Sequence, residues 1–386
     1  MDNLTLIATC AFGLEAVVKR ELSALGFTDL HASEGRVEFS ASSQQIPSAN
    51  LWLRCADRVF LKMGEFQALT FEELFEQTKA LPWQDWITPD GKFTVNGRSV
   101  KSQLGSISAC QAIVKKAVVE NLKAHYHRDW FEESGAEFTI QVSLLKDLAT
   151  LSIDTSGAGL NRRGYRTQAG TAAIKETLAS ALVQLSFWRK DRLLIDPMCG
   201  SGTILIEAAM LGRQIAPGLN RTFASEDWPG IPPKAWRVAR LNAYESVDKT
   251  SRLELFGYDL DPAVIQAARV NARKAGVGNN IIFDQKNVHD LWIDKQYGVL
   301  ISNPPYGVKL GEFKDMNDIY ISLNKIFKKK TGWSVYILTA DKKFPDYFKR
   351  ANPDRVRKLY NGQIEVNYYQ YYGERPKDSP LQDDLS

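Results

Sequence analysis

The sequence predicts an α/β protein. Its C-terminal half should form a mostly parallel, doubly wound sheet, and two smaller α+β units should precede it. Three observations predict this. From residue 171 onward, short apolar runs alternate with helical patterns, the rhythm of buried strands joined by crossover helices. One such run, "RLLID", passes into the turn "PMCGSG" and then a helix, the strand–turn–helix of a ligand-binding sheet. Before residue 156 the strand-like stretches alternate apolar and polar positions instead.

In chain order, residues 1–65 read as strand, helix, strand, helix and strand. "LTLIATC" is β-like, "GLEAVVKRELSALG" has apolar residues at helical spacing and stops at glycine, and "GRVEFSA" alternates. "ANLWLRCADRVFLKMGEF" is a helix running into a strand. Residues 66–155 repeat the style. "TFEELFEQTKAL" opens with Thr and early Glu, a helix-start signature. "KFTVNGRSV" is a strand, "ISACQAIVKKAVVENLKAHY" a long amphipathic helix, and "EFTIQVSLLKDLATLSIDTSG" two strands around a turn at Lys146-Asp147. Residues 156–170 form a glycine- and arginine-rich linker. Residues 171–386 then give a helix "AAIKETLASALVQLSFW", the strand "RLLID", the helix "SGTILIEAAML", the strand "LELFGYDLD", a helix opened by Pro262, and the strands "NIIFDQKNV", "GVLISNPPY" and "SVYILTA". The insertion "QIAPGLNRTFASEDWPGIPPKAW" reads as a lid or packed loop.

Composition excludes several classes. The 386 residues exceed one ordinary core. No apolar run reaches the ~18 residues of a membrane span. The opening "MDNLTLIATCAFGLEAVVKREL" lacks a basic leader and cleavage signature, so a cytoplasmic location and no membrane partner are expected. Cys10, Cys55, Cys110 and Cys199 form no CxxC pair, so neither a metal site nor a disulfide framework is expected. Residues up to 165 carry 17 basic and 20 acidic side chains and the remainder 32 and 25, so the net charge of +4 arises in the second half. That excess is compatible with a nucleic-acid partner.

Three stretches carry chemistry. In "LLIDPMCGSGT", Gly200 and Gly202 permit positive φ and close approach of a ligand, and the following helix start offers free N–H groups to an anion. Neither GxxxxGK[ST] nor GxGxxG is present. In "GYDLDP", Asp259 ends a strand where a carboxylate can accept from ribose hydroxyls, and Asp261 stands at the helix-cap position before Pro262. The third element is "NPPY". Pro304 and Pro305 end strand pairing abruptly. The Asn303 side-chain oxygen and the Pro304 carbonyl then form two acceptors at fixed spacing, matched to the two N–H bonds of an exocyclic amino group. Tyr306 offers a face to a planar base. Acceptors so placed localise the nitrogen lone pair and stabilise charge developing on it during attack on an electrophilic methyl group.

The order "DPMCGSGT", "GYDLDP", "NPPYG" resembles class I S-adenosylmethionine-dependent methyltransferases that modify exocyclic amino groups. Over nearly all its length the chain resembles the THUMP-domain RNA guanine-N2 methyltransferases of the bacterial 23S rRNA type, with the linker "GLNRRGYR" and the helix "AAIKETLASAL" included. The resemblance implies a ferredoxin-like domain over 1–65, a THUMP RNA-binding domain over 66–155, a basic linker over 156–170 and a Rossmann-like class I methyltransferase domain over 171–386. It implies S-adenosyl-L-methionine as cofactor. Asp196, Cys199, Gly200 and Gly202 would line its methionine part, with Thr203 starting the helix, Met198 also at the cofactor, and Glu176 and Thr177 on the preceding helix. Asp259 would hold the ribose and Asn287 would face the adenine amino group, with Leu260 and Val288 also at the cofactor. Asn287 stands where the family usually has an acidic residue, and Asp290 is the alternative. Asn303, Pro304 and Tyr306 would hold the target base. Arg98, Lys101, Lys115, Lys116, Arg162, Arg163 and Arg166 are candidates for RNA phosphate. The rival readings are a tRNA guanine-N2 methyltransferase, an adenine-N6 methyltransferase acting on DNA or RNA, and an RNA-binding protein whose methyltransferase domain is inactive.

Overall fold

The computed structural model describes residues 3–166, 174–305 and 313–374. These divide into two compact units. The first holds residues 1–10, 18–160 and 218–245, the second residues 11–17, 161–217 and 246–386.

The first unit is built on one seven-stranded sheet. Its elements are β1 (Leu4–Thr9), α1 (Glu15–Ala24), β2 (Thr28–Ser33), β3 (Arg36–Ala41), α2 (Ile46–Trp52), β4 (Arg58–Gln67), α3 (Phe71–Lys79), β5 (Lys92–Val100), α4 (Ile107–Tyr126), β6 (Glu137–Leu145) and β7 (Leu148–Asp154). The strand order is β2-β3-β1-β4-β7-β6-β5. Thus β4 pairs with β1 on one side and β7 on the other, making the first 155 residues one continuous sheet. Local chemistry explains the element ends. Thr70 and Glu73 form a reciprocal capping box at the start of α3. Lys146 and Asp147 both adopt positive φ in the β6–β7 turn, the conformation a two-residue hairpin needs. Strand β2 was not expected from the sequence. It is an edge strand, exposed along most of its length, so no apolar alternation marks it.

The second unit contains α5 (Glu176–Gln184), β8 (Leu194–Asp196) and α6 (Thr203–Gly212). The chain then runs through an insertion with helix α7 (Pro233–Glu245) that belongs to the first unit. Of the two sequence readings, lid or packed loop, the second fits. The indole of Trp228 is buried and donates to the Glu137 carbonyl at 3.2 Å, and Trp236 stacks on Phe223. The chain returns with β9 (Leu255–Asp259), α8 (Pro262–Lys274), β10 (Ile281–Gln285), β11 (Gly298–Ser302), α9 (Phe313–Phe327), β12 (Trp333–Thr339), α10 (Phe344–Tyr347), β13 (Arg355–Asn361) and β14 (Ile364–Tyr371). The strand order is β10-β9-β8-β11-β12-β14-β13. Strands β8 to β12 pair in parallel, and β14 lies antiparallel to β12 and β13. This is the expected mostly parallel, doubly wound sheet. The order reverses between β8 and β11, which creates a crevice at their carboxyl ends. Beneath it, Leu300, Tyr320, Phe327, Trp333, Val335 and Phe344 belong to one buried cluster. Helix α5 is shorter than the sequence suggested. It ends before Ser186, whose hydroxyl donates to the Val183 carbonyl and accepts from the Trp188 N–H.

Candidate active site at the carboxyl edge of the parallel sheet

Strand β8 ends on Asp196, which is buried (1 % exposed). Its Oδ1 accepts from the Ser302 hydroxyl at 2.7 Å and from the Met198 N–H at 3.2 Å. Loss of solvent pushes its carboxyl up to about 7, against the lowering pull of the Ser302 bond. Ser302 ends β11, so this bond ties together the two strands that flank the crevice. Sequence reading missed Ser302. Its place beside "NPPY" was the one available signal, because the partner lies 106 residues away.

The glycine turn folds over this anchor. Gly200 and Gly202 have φ of +53° and +80°. The Gly200 N–H donates to Asp259 Oδ2 at 3.0 Å, and the Cys199 N–H to the Tyr258 carbonyl at 2.8 Å. Asn271 of α8 holds the Ser201 carbonyl from below. The two glycines face different surroundings. A Cβ on Gly202 would stand 2.8 Å from the Phe283 ring, whereas one on Gly200 would meet nothing within 4 Å. Gly202 therefore permits packing, and Gly200 leaves open space. Gly202 caps α6 without a side-chain bond, so the first N–H groups of that helix are available to an anion. Burial pushes the Cys199 thiol well up, which leaves it a neutral contact surface and not a nucleophile.

Asp259 ends β9 half-buried. Its two oxygens accept from the Gly200 and Asp261 N–H groups. A carboxylate has about four acceptor positions, so two remain for ribose hydroxyls. Asp261 caps α8 by accepting from the Ala263 N–H at 2.8 Å, the cap role expected from its place before Pro262. Leu260 is exposed and Val288 is buried in the core. Asn287 caps the short turn Val288–Asp290 through Oδ1, which accepts from the His289 N–H at 3.0 Å. That oxygen keeps one acceptor position. Asp290 is exposed.

Beyond Ser302, Asn303 is half-buried and Pro304 buried. Asn303 Oδ1 is shielded from solvent and has no hydrogen-bond partner among the described residues. Tyr306 lies outside the described residues.

The linker differs from expectation. Arg163, expected at phosphate, is buried and grips both oxygens of Glu207 on α6, at 3.4 and 3.5 Å. Tyr165 donates to the same carboxylate at 3.1 Å. Glu207 is wholly buried and needs a cation there, because a bare buried carboxylate is costly. Arg163 is thus an internal counter-ion, and its role as a phosphate contact is corrected. Arg166 is turned inward as well. It donates to the Thr203 hydroxyl at 2.8 Å and the Ile174 carbonyl at 2.9 Å, and its Nε lies 3.4 Å from Glu176 Oε1. Glu176 and Thr177 are buried in the first turn of α5, and Glu176 Oε2 has no partner among the described residues. Burial raises the Glu176 carboxyl. Arg162 is exposed. On the first unit Arg98, Lys101, Lys115 and Lys116 are exposed. Arg98 donates to the Ser143 hydroxyl, while Lys115 and Lys116 lie over Phe93 and Phe75.

A doubly wound sheet with a glycine turn, an acidic residue closing its second strand and, just beyond its fourth, an asparagine without a side-chain oxygen partner among the described residues defines a class I methyltransferase architecture. Three family models match this chain. They are an RMKL-like methyltransferase domain over residues 163–370, an RlmL ferredoxin-like domain over 5–60 and a THUMP domain over 68–154. A Bacillus subtilis protein named "Putative RNA methyltransferase YpsC" is 47% identical over 380 residues, 98% of each chain. A Listeria monocytogenes structure described as a "predicted N6-adenine-specific DNA methylase" is 46% identical, covers 97% of both chains and superposes with a TM-score of 0.93. SMU.472, described as "a putative methyltransferase complexed with SAH", is 43% identical over 98% of this chain and 100% of its own, also with a TM-score of 0.93. This chain belongs to the family of RMKL-like methyltransferases preceded by RlmL ferredoxin-like and THUMP domains. Among the described residues no group of three or more His, Cys, Asp or Glu could hold a metal ion, and no helix is long and apolar enough to cross a membrane.

Proposed function

We propose that this chain is an S-adenosylmethionine-dependent RNA methyltransferase that methylates the exocyclic N2 amino group of a guanine in 23S rRNA. The observation that carries the reading is Asn303 Oδ1, shielded from solvent just beyond β11 and without a hydrogen-bond donor among the described residues. It follows Ser302, which is bonded to the carboxylate under the glycine turn. At the carboxyl edge of the sheet, a shielded acceptor without a donor among the described residues suits one from a ligand, and an amino group on a base supplies it.

The residues fit the cofactor. The open start of α6 suits its carboxylate, the space at Gly200 its close approach, Asp259 its ribose, and Asn287 its adenine amino group. SMU.472, complexed with SAH at 43% identity, supports the same choice. When bound, S-adenosylmethionine supplies the electrophilic methyl group. The work of the chain is to hold the amino nitrogen. Asn303 Oδ1 and the Pro304 carbonyl accept its two N–H bonds. No strong general base is needed, because the nitrogen proton becomes acidic once the methyl group is attached.

The THUMP and RlmL ferredoxin-like domains and the Bacillus relative support RNA. Arg98, Lys101, Lys115, Lys116 and Arg162 are the phosphate candidates. The Listeria description favours a second reading, adenine-N6 methylation of DNA. The test is Asn303→Ala. Methyl transfer should be lost while cofactor affinity stays within about twofold, since the side chain acts on the base and not on the cofactor. Retained turnover would refute the role.

A further inference from the structure

We infer a second RNA-backbone contact surface on the methyltransferase unit, at the edge of the parallel sheet opposite the candidate active site. It rests on the RNA reading above. From Lys325 to Lys330 the chain carries four lysines and no carboxylate. Helix α9 ends there, and Lys328 and Lys329 are exposed. Three contacts gather further groups around them. The Trp333 indole donates to the Lys295 carbonyl at 3.0 Å. Arg350 donates to the carbonyls of Trp333 and Lys330, at 2.8 and 3.1 Å. The Tyr297 ring lies against Gly332, where a Cβ would come within 2.5 Å of it. Gly298 and Trp333 begin β11 and β12, side by side. Lys295, Lys328, Lys329 and Lys349 are exposed and lie on segments that meet at the amino edge, beside Tyr297, which is 37 % exposed, whereas Arg350 is half-buried and spends its guanidinium on the two carbonyls.

Asn303 leaves the other end of β11, about 17 Å away along five residues. These cations are therefore not part of the pocket. Lysines closing a helix are favoured by its dipole, but that does not account for Lys295 and Lys349, which come from other segments. Nor does it account for an exposed aromatic ring among them. Clustered cations around a stacking surface suit a flexible polyanion with bases, which is single-stranded RNA flanking the target.

The test is binding of a labelled single-stranded RNA by the full chain between about 50 and 300 mM salt. Wild type is compared with a Lys328→Gln/Lys329→Gln double variant and with Tyr297→Ala. At roughly 0.7 counterions per phosphate contact, the double variant should flatten the log–log salt slope by about 1.4 and weaken binding about 20-fold near 0.1 M salt. Cofactor affinity should not change. Tyr297→Ala should weaken binding about tenfold with the slope unaltered, because stacking releases no counterions. A wild type that binds RNA, with a double variant equal to it in affinity and slope, would overturn this inference and leave the RNA reading standing. A wild type without salt-dependent RNA affinity would overturn both.

Discussion

Replacing Ser302 with alanine removes one hydroxyl from a fully buried site and should cost more stability at alkaline pH than at acidic pH. The hydroxyl donates to Asp196 Oδ1 at 2.7 Å. With the Asp196 carboxyl at about 7, it is largely protonated at pH 6 and largely ionised at pH 8.5. A neutral bond contributes about 1 kcal/mol, and one to a charged group about 2–3 kcal/mol. Asp196 is raised above the ordinary carboxylate value, so its stabilising contribution is full below about pH 4 and lost as pH rises through about 7. Removing Ser302 moves that folded value still higher, because the bond lowers it. The two effects agree. Ser302→Ala should lose about 1 kcal/mol at pH 6 and 1–2 kcal/mol more at pH 8.5. For a unit of this size the extra loss is roughly 2–8 °C in Tm. Calorimetric melts of both proteins at the two pH values measure it. An equal drop in Tm at both would show that Asp196 does not titrate against Ser302, and the argument would fail.

The two glycines of the turn should respond differently to alanine. Gly202→Ala, with positive φ and Phe283 at 2.8 Å, should lose about 2–4 kcal/mol of stability by thermal melting. Gly200→Ala should lose only about 1–2 kcal/mol, yet weaken cofactor binding by isothermal titration at least tenfold, since its Cβ enters the open space. Glu207→Gln should leave the buried Arg163 without its counter-charge and cost about 3–5 kcal/mol, read as a fall in Tm. Charge reversal of the exposed pair Lys115 and Lys116 should weaken RNA binding and flatten its salt slope, whereas unchanged binding would move the contact elsewhere.

Much of the site was legible because its signals are local. The turn at Gly200 and Gly202, the cap at Asp261 and the capping box of Thr70 and Glu73 each depend on residues a few positions apart. The alternation of strand and helix likewise gave the parallel sheet. What escaped the reading was decided by partners distant in sequence. Arg163 sits in a glycine-rich basic stretch that resembles a solvated linker, and only the fold brings Glu207 against it. Ser302 looks like an ordinary strand end until β8 lies beside β11. The insertion gave no hint that it belongs to the first unit, since nothing in "SEDWPG" names Glu137 as the partner of Trp228. Edge strand β2 was missed for the opposite reason, because it buries too little to leave a pattern.

The central claim is methylation of a guanine amino group in RNA. Its most direct test is transfer from labelled S-adenosylmethionine to total RNA from cells lacking this enzyme, followed by mass spectrometry of the digested nucleosides. Label is expected in N2-methylguanosine of the large ribosomal RNA. The same nucleoside in tRNA would keep the chemistry and change the substrate. Label only in N6-methyladenosine, or transfer to DNA and to no RNA, would contradict the account.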